Sequence, residues 1–118
     1  MDILLNTEEL PGWFSYSEDF LRIVEQGLLD FDPWIVLQGA QLRTRFSGIK
    51  ERFPDRELVP FARREDNDDV ACWDKNKPGK VTVIHDFSSP GHESKNELNC
   101  FWDWLRSAVE ATIEYEGG

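Results

Sequence analysis

The chain has 118 residues and a formal net charge of −10. That length is one ordinary domain, and five Trp, eight Phe and two Tyr are too many aromatics for a disordered chain. The acid excess argues against nucleic acid or an anionic membrane as partner, because both need clustered Lys and Arg, and it is compatible with a basic partner.

No apolar run approaches the ~18–20 residues of a membrane-spanning helix. The first residues, Met1 to Asn6, carry no basic region and no long apolar stretch, so no signal peptide is expected. Cys72 and Cys100 are too few for a disulfide scaffold and read as buried free thiols, which fits a reducing cytoplasm. The charge is unevenly placed. Arg43 to Arg64 holds seven basic and three acidic residues, while Glu65 to Asp74 holds five acids and no base. One basic element in a negative molecule is a plausible docking surface.

Residues 1–14 read as a lead-in with a turn at Pro11-Gly12. A helix is expected to start near Ser15 or Ser17, where Ser15 with Glu18 fits a capping box. Phe20, Leu21, Val24 and Leu28 then recur at helical spacing, and Gly27 is a good stop. Trp34-Ile35-Val36-Leu37 fits either a strand or the first turn of a helix. Leu42, Phe46, Ile49 and Phe53 form a clean amphipathic stripe that Pro54 ends.

The middle reads as β. Leu58 to Ala62 is expected as a strand, with Pro60 placing it at an edge or a bulge. Val70 to Trp73 and Val81 to His85 are expected to pair across the polar turn Asp74 to Lys80. Ser88 to His92 reads as a loop. In the last segment Leu98, Phe101, Trp102, Leu105, Ala108, Val109 and Ile113 predict a wide apolar helix face. Asn96, or Ser94 with Glu97, can cap its start. Trp102 falls on that stripe and Trp104 off it, as a core residue of a second layer or an interface anchor. The whole predicts an α+β fold: one antiparallel sheet of about four strands flanked by helices, with the C-terminal helix packed on the sheet.

No catalytic constellation stands out. His85 and Asp86 are adjacent, but adjacent strand residues point to opposite faces, and the acid that orients a catalytic His is normally brought in by the fold. Asp66-Asn67-Asp68-Asp69 starts like a calcium loop and fails, with Ala71 where a Gly is needed and no Glu at its twelfth position. The two Cys and two His are scattered, and no glycine-rich phosphate loop is present. Neither a metal nor a cofactor is expected. What remains is an acidic and aromatic patch, Asp66 to Asp69 beside Trp73, where a tight Asx turn is the plainer alternative.

Three segments in order resemble a known signature. They are Leu58-Val59-Pro60-Phe61-Ala62-Arg63-Arg64, then Asp66 to Asp74, then Val81 to Phe87 followed by Ser88-Ser89-Pro90-Gly91. With Phe101-Trp102-Asp103-Trp104-Leu105 near the end, residues 15–115 resemble the SUKH superfamily, the Smi/Knr-like proteins. Little precedes Ser15, so a partner-binding extension there is not expected. The resemblance implies one SUKH-like domain over residues 1–118, an α+β fold with a central antiparallel sheet, and a non-enzymatic role. Many bacterial members are predicted immunity proteins that neutralise a cognate toxin, often a nuclease; eukaryotic members are regulatory binding proteins. The implied function is therefore direct binding of a basic toxin in the cytoplasm, with a regulatory or scaffold module for a host protein as the alternative. The implied candidate partner contacts are Asp66, Asp68, Asp69, Trp73 and Asp86.

Overall fold

The structure, a computed structural model, describes residues 3–117. Helix α1 spans Glu18–Glu25. Strands β1 (Asp30–Phe31) and β2 (Trp34–Val36) follow, then helix α2 (Gly39–Arg52). Strands β3 (Leu58–Arg64), β4 (Asp69–Asp74), β5 (Val81–His85) and β6 (Ser94–Leu98) lead into helix α3 (Phe101–Gly117). The six strands form one antiparallel meander in the order β1-β2-β3-β4-β5-β6.

The α+β class and the C-terminal helix agree with expectation, but the sheet has six strands rather than about four. Trp34–Val36 is a strand, which decides the question left open there. Ser94–Leu98 is a strand as well, so these residues do not cap the last helix, which begins at Phe101. Its sequence, Ser-Lys-Asn-Glu-Leu, lies at the sheet edge and is exposed almost throughout. It therefore has no apolar alternation to announce it, and charge on an edge strand discourages pairing with another chain.

Helix α1 starts at the second of its two predicted positions. Ser17 is the N-cap and its Oγ accepts the Phe20 N–H at 3.2 Å. The helix ends in a Schellman motif. Gly27, at φ +74°, donates to Val24 O, and Leu28 donates to Ile23 O. Its buried residues are Phe20 and Ile23, whereas Leu21 and Leu28 are exposed, so the apolar face is rotated from the expected one. In α2, Leu42, Phe46 and Ile49 are all buried, as is Phe53 at its C-cap.

Two apolar clusters hold the molecule together. The larger joins Val59, Phe61, Ala71, Trp73, Val81 and Val83 of the sheet to Phe20 and Ile23 of α1, Phe101, Trp104 and Ala108 of α3, and Leu42 and Phe46 of α2. The smaller joins Leu58, Val70, Cys72 and Ile84 to Ile49 and Phe53. Neighbouring strand residues point to opposite faces, so Val70 and Cys72 belong to one face of β4 while Ala71 and Trp73 belong to the other. All six residues of β4 are buried, which is why apolar packing is needed on both faces of the sheet. Pro60 sits at a bulge in central strand β3, with Pro60 opposite Cys72 and Ala62 opposite Ala71. Phe61 is the extra residue, and its ring stacks on Trp73 at 4.2 Å between centroids.

On α3 the expected stripe holds in part: Phe101 and Ala108 are buried, and Trp102 and Leu105 pack half-buried against the core. Trp104 is fully buried, whereas Trp102 is half-buried and Val109 and Ile113 are exposed. The residues buried in the larger cluster are Phe101, Trp104 and Ala108, a 3-4 spacing that adds Trp104 from beside the expected stripe.

Candidate functional site

The β1–β2, β3–β4 and β5–β6 connections of the meander lie at one end of the sheet. Backbone hydrogen bonds tie them together: Glu65 N–H donates to Pro33 O at 2.8 Å and Asp86 N–H donates to Asp68 O at 2.9 Å. This end gathers Asp30, Glu65, Asp66 and Asp68, all exposed. Within the turn Asn67 Oδ1 accepts the Asp69 N–H at 2.8 Å, the Asx turn considered from sequence. Asp66 accepts the Arg64 guanidinium on both oxygens at 2.9 Å, and that bond holds its carboxyl below the usual range.

The five candidate contacts divide. Asp66 and Asp68 are open to solvent. Trp73 is 8% exposed and sits in the larger core, among Phe14, Phe20 and Phe61. Asp69 is buried and faces His85 Nδ1 at 3.1 Å and Lys95 Nζ at 2.7 Å. Asp86 has no exposed surface and is held by two arginines of α2. Asp69 and Asp86 thus build this end of the sheet from within, whereas Trp73 lies toward the β4–β5 turn at the other end, paired with Val59 and Val81, so the expected patch of Trp73 beside Asp66 to Asp69 does not form. Asp66 and Asp68 are the two that can touch another molecule.

The Asp86 arrangement explains the shape of this end. Arg52 donates Nε–H to Oδ1 and Nη2–H to Oδ2, both at 2.6 Å; Arg45 donates to Oδ2 at 2.8 Å; and the Phe87 N–H donates to Oδ1 at 2.9 Å. Burial alone would raise the Asp86 pKa, but the two arginines outweigh it and hold the carboxyl below its ordinary value. Farther along the sheet, Arg56 bridges Asp74, the last residue of β4, at 3.0 Å and Glu93, two more buried acids. Glu93 is likewise lowered: burial opposes, while backbone donors and Arg56 prevail.

Chemically this end can accept hydrogen bonds and attract cations. His85 does not pair with Asp86, as the catalytic alternative required, because Asp86 turns to α2 and His85 to Asp69. Among the described residues no group of three or more His, Cys, Asp or Glu side chains is placed to hold a metal ion. Burial raises the Cys72 thiol pKa steeply, away from thiolate chemistry. No helix of the described residues is long and apolar enough to cross a membrane.

Sequence reasoning did not single out Arg45, Arg52, Arg63 or Phe87, which also meet at this end. One signal was present: Arg45 and Arg52 are seven apart, two helical turns, and so share a face of α2. Their common acceptor lies 34 residues beyond Arg52 and could not be read from spacing. Comparison with protein-family models, curated proteins and solved structures finds no match.

Proposed function

We propose that the chain is a non-enzymatic binding domain that neutralises a basic toxin by direct contact, an immunity-type protein acting through the acidic end of its sheet. The observation that carries this reading is the exposure of Asp66 and Asp68 on a turn braced from beneath by ion pairs to the buried acids Asp69 and Asp86. Rigid presentation lowers the ordering cost of binding. The order of motifs that resembles the SUKH superfamily supports the same reading. A toxin that cuts nucleic acid carries a basic groove, and opposite fields raise association rates by ~10–10³-fold.

The test is co-expression with a toxin encoded beside the gene, followed by binding measurements. Survival should require this chain. Asp66→Lys with Asp68→Lys should weaken the complex by about tenfold or more at low salt and flatten its salt dependence, while the circular dichroism spectrum stays unchanged. Survival no better than with empty vector overturns the reading. Asp69 and Asp86 are unsuitable for this test, because reversing either would place like charges together inside the protein.

A further inference from the structure

Beside the acidic end, α2 and Phe87 enclose a groove of about 470 Å³ whose lining includes Gln41, Thr44, Arg45, Arg52, Arg63 and Phe87. Its charge is opposite to that of the molecule. Asp86 is the acid that Arg45 and Arg52 share, and its two oxygens already accept four hydrogen bonds, the practical capacity of a carboxylate. Arg45 spends one Nη1–H on Asp86 and has further N–H donors to offer. Arg63 makes no ion pair or side-chain hydrogen bond among the described residues, and it faces the same space. Three guanidinium groups and one carboxylate leave the groove with two uncompensated positive charges.

Phe87 adds a second, independent oddity. Its φ is +70°, a left-handed conformation that costs a bulky residue about 1–3 kcal/mol. It is nevertheless 60% exposed, so burial of the ring does not offset that cost. Arg52 covers the ring at 4.1 Å and Arg45 approaches it at 5.9 Å. The strained backbone, fixed by the Phe87 N–H on Asp86, holds an aromatic ring open at the mouth of a cationic groove. The volume lies in the ~300–1,000 Å³ range of small-molecule sites, more than a bare ion needs.

We propose that this groove is a binding site for an oxyanion, a carboxylate or phosphate, carried on a flat ring that lies against Phe87 while Arg45 and Arg63 take the charge. Guanidinium forks match both anions through paired N–H donors. The site does not depend on a toxin partner, and its test is separate from the one above.

The experiment is a titration of the full chain with four probes: phenyl phosphate, benzoate, inorganic phosphate and benzyl alcohol. It is followed by NMR of the arginine Nε–H groups and by melting temperature. At least one ring-bearing anion should saturate with a Kd on the order of 1 mM and raise the melting temperature. Inorganic phosphate should bind about tenfold more weakly and benzyl alcohol not at all. Saturation by phenyl phosphate alone assigns the site to phosphates, and by benzoate alone to carboxylates. Arg63→Gln and Phe87→Asn, neither of which removes an Asp86 partner side chain, should each weaken binding at least ~5-fold. Shifts that stay linear to ~50 mM in every probe, or saturable binding that both variants leave unchanged, would overturn the proposal.

Discussion

At the scale of single residues, Asp86 is the keystone of the acidic end. It sits without exposed surface among Arg45, Arg52 and the Phe87 N–H. Breaking a buried pair by removing one partner costs ~3–5 kcal/mol, because the other charge stays behind. Asp86→Asn leaves two arginines facing a neutral amide that can accept on one atom only, and a loss in that range is expected by urea unfolding at pH 7. The pH dependence follows from the lowered pKa of Asp86. The unfolded carboxyl titrates near ~3.9, so the unfolded state binds more protons between that value and the folded pKa. The stability Asp86 contributes is fully present above ~4 and is lost as pH falls through its folded pKa. Glu93 behaves in the same sense. Unfolding curves from pH 7 down to ~3 should fall more steeply for the parent protein than for Asp86→Asn; parallel slopes would count against the role assigned here.

At the scale of elements, α2 shows how one glycine positions a charge. Arg52 folds back one turn along the helix, and a Cβ at Gly48 would meet its Nη1 and Nη2 at 2.7 Å. The end of an arginine can normally swing aside, but this one is tied to Asp86 by two bonds of 2.6 Å. Two effects of Gly48→Ala therefore oppose each other. Helix propensity favours Ala by about 1 kcal/mol, whereas displacing the Arg52 fork gives up part of a buried pair worth ~3–5 kcal/mol to break. The second should win, with a net loss of about 1–2 kcal/mol. In an Arg52→Met background the obstruction is gone, and Gly48→Ala should stabilise by up to ~1 kcal/mol. The double-mutant cycle, read by chemical denaturation, tests this directly, since the same sign in both backgrounds would refute it. The elements themselves were unevenly legible. The stripe of α2 was clear because Leu42, Phe46, Ile49 and Phe53 are all buried. Strand β6 was not, because its Ser, Lys, Asn and Glu are exposed and only register with β5 makes it a strand. In α3 apolar residues occur on adjoining faces, so Trp102 competed with Trp104 for the core, and only packing against Phe61 and Trp34 places Trp104 there.

At the scale of the whole molecule, the sequence shows how much charge there is but not which way it points. Arg43 to Arg64 looked like a basic element fit for docking. In the fold Arg43 pairs with Glu9, Arg45 and Arg52 with Asp86, Arg56 with Asp74 and Glu93, and Arg64 with Asp66. Five of its seven cations are thus paired with acids, three of them with buried ones, and much of the outer field is left to the remaining acids of a chain at −10. The acidic turn was legible because Asp66 to Asp69 are contiguous; the cations that brace it come from distant segments and were not. Self-repulsion on this surface has a measurable consequence. Added salt screens exposed like charges over a Debye length that shrinks from ~20–30 Å near 0.01–0.02 M to ~3–5 Å by ~0.5–1 M, while the buried pairs are screened far less. Exposed pairs such as Lys75–Glu57 and Lys77–Glu97 lose little, being worth ~0–1 kcal/mol each. The melting temperature should therefore rise with sodium chloride over that interval, by several degrees if repulsion costs about 1 kcal/mol. Glu65→Lys with Asp68→Lys, which relieves the acidic end at two exposed positions, should raise the melting temperature at low salt and shrink the gain on adding salt. A melting temperature that falls as salt is added would mean instead that exposed ion pairs, rather than the excess of acid, govern how charge acts on this fold.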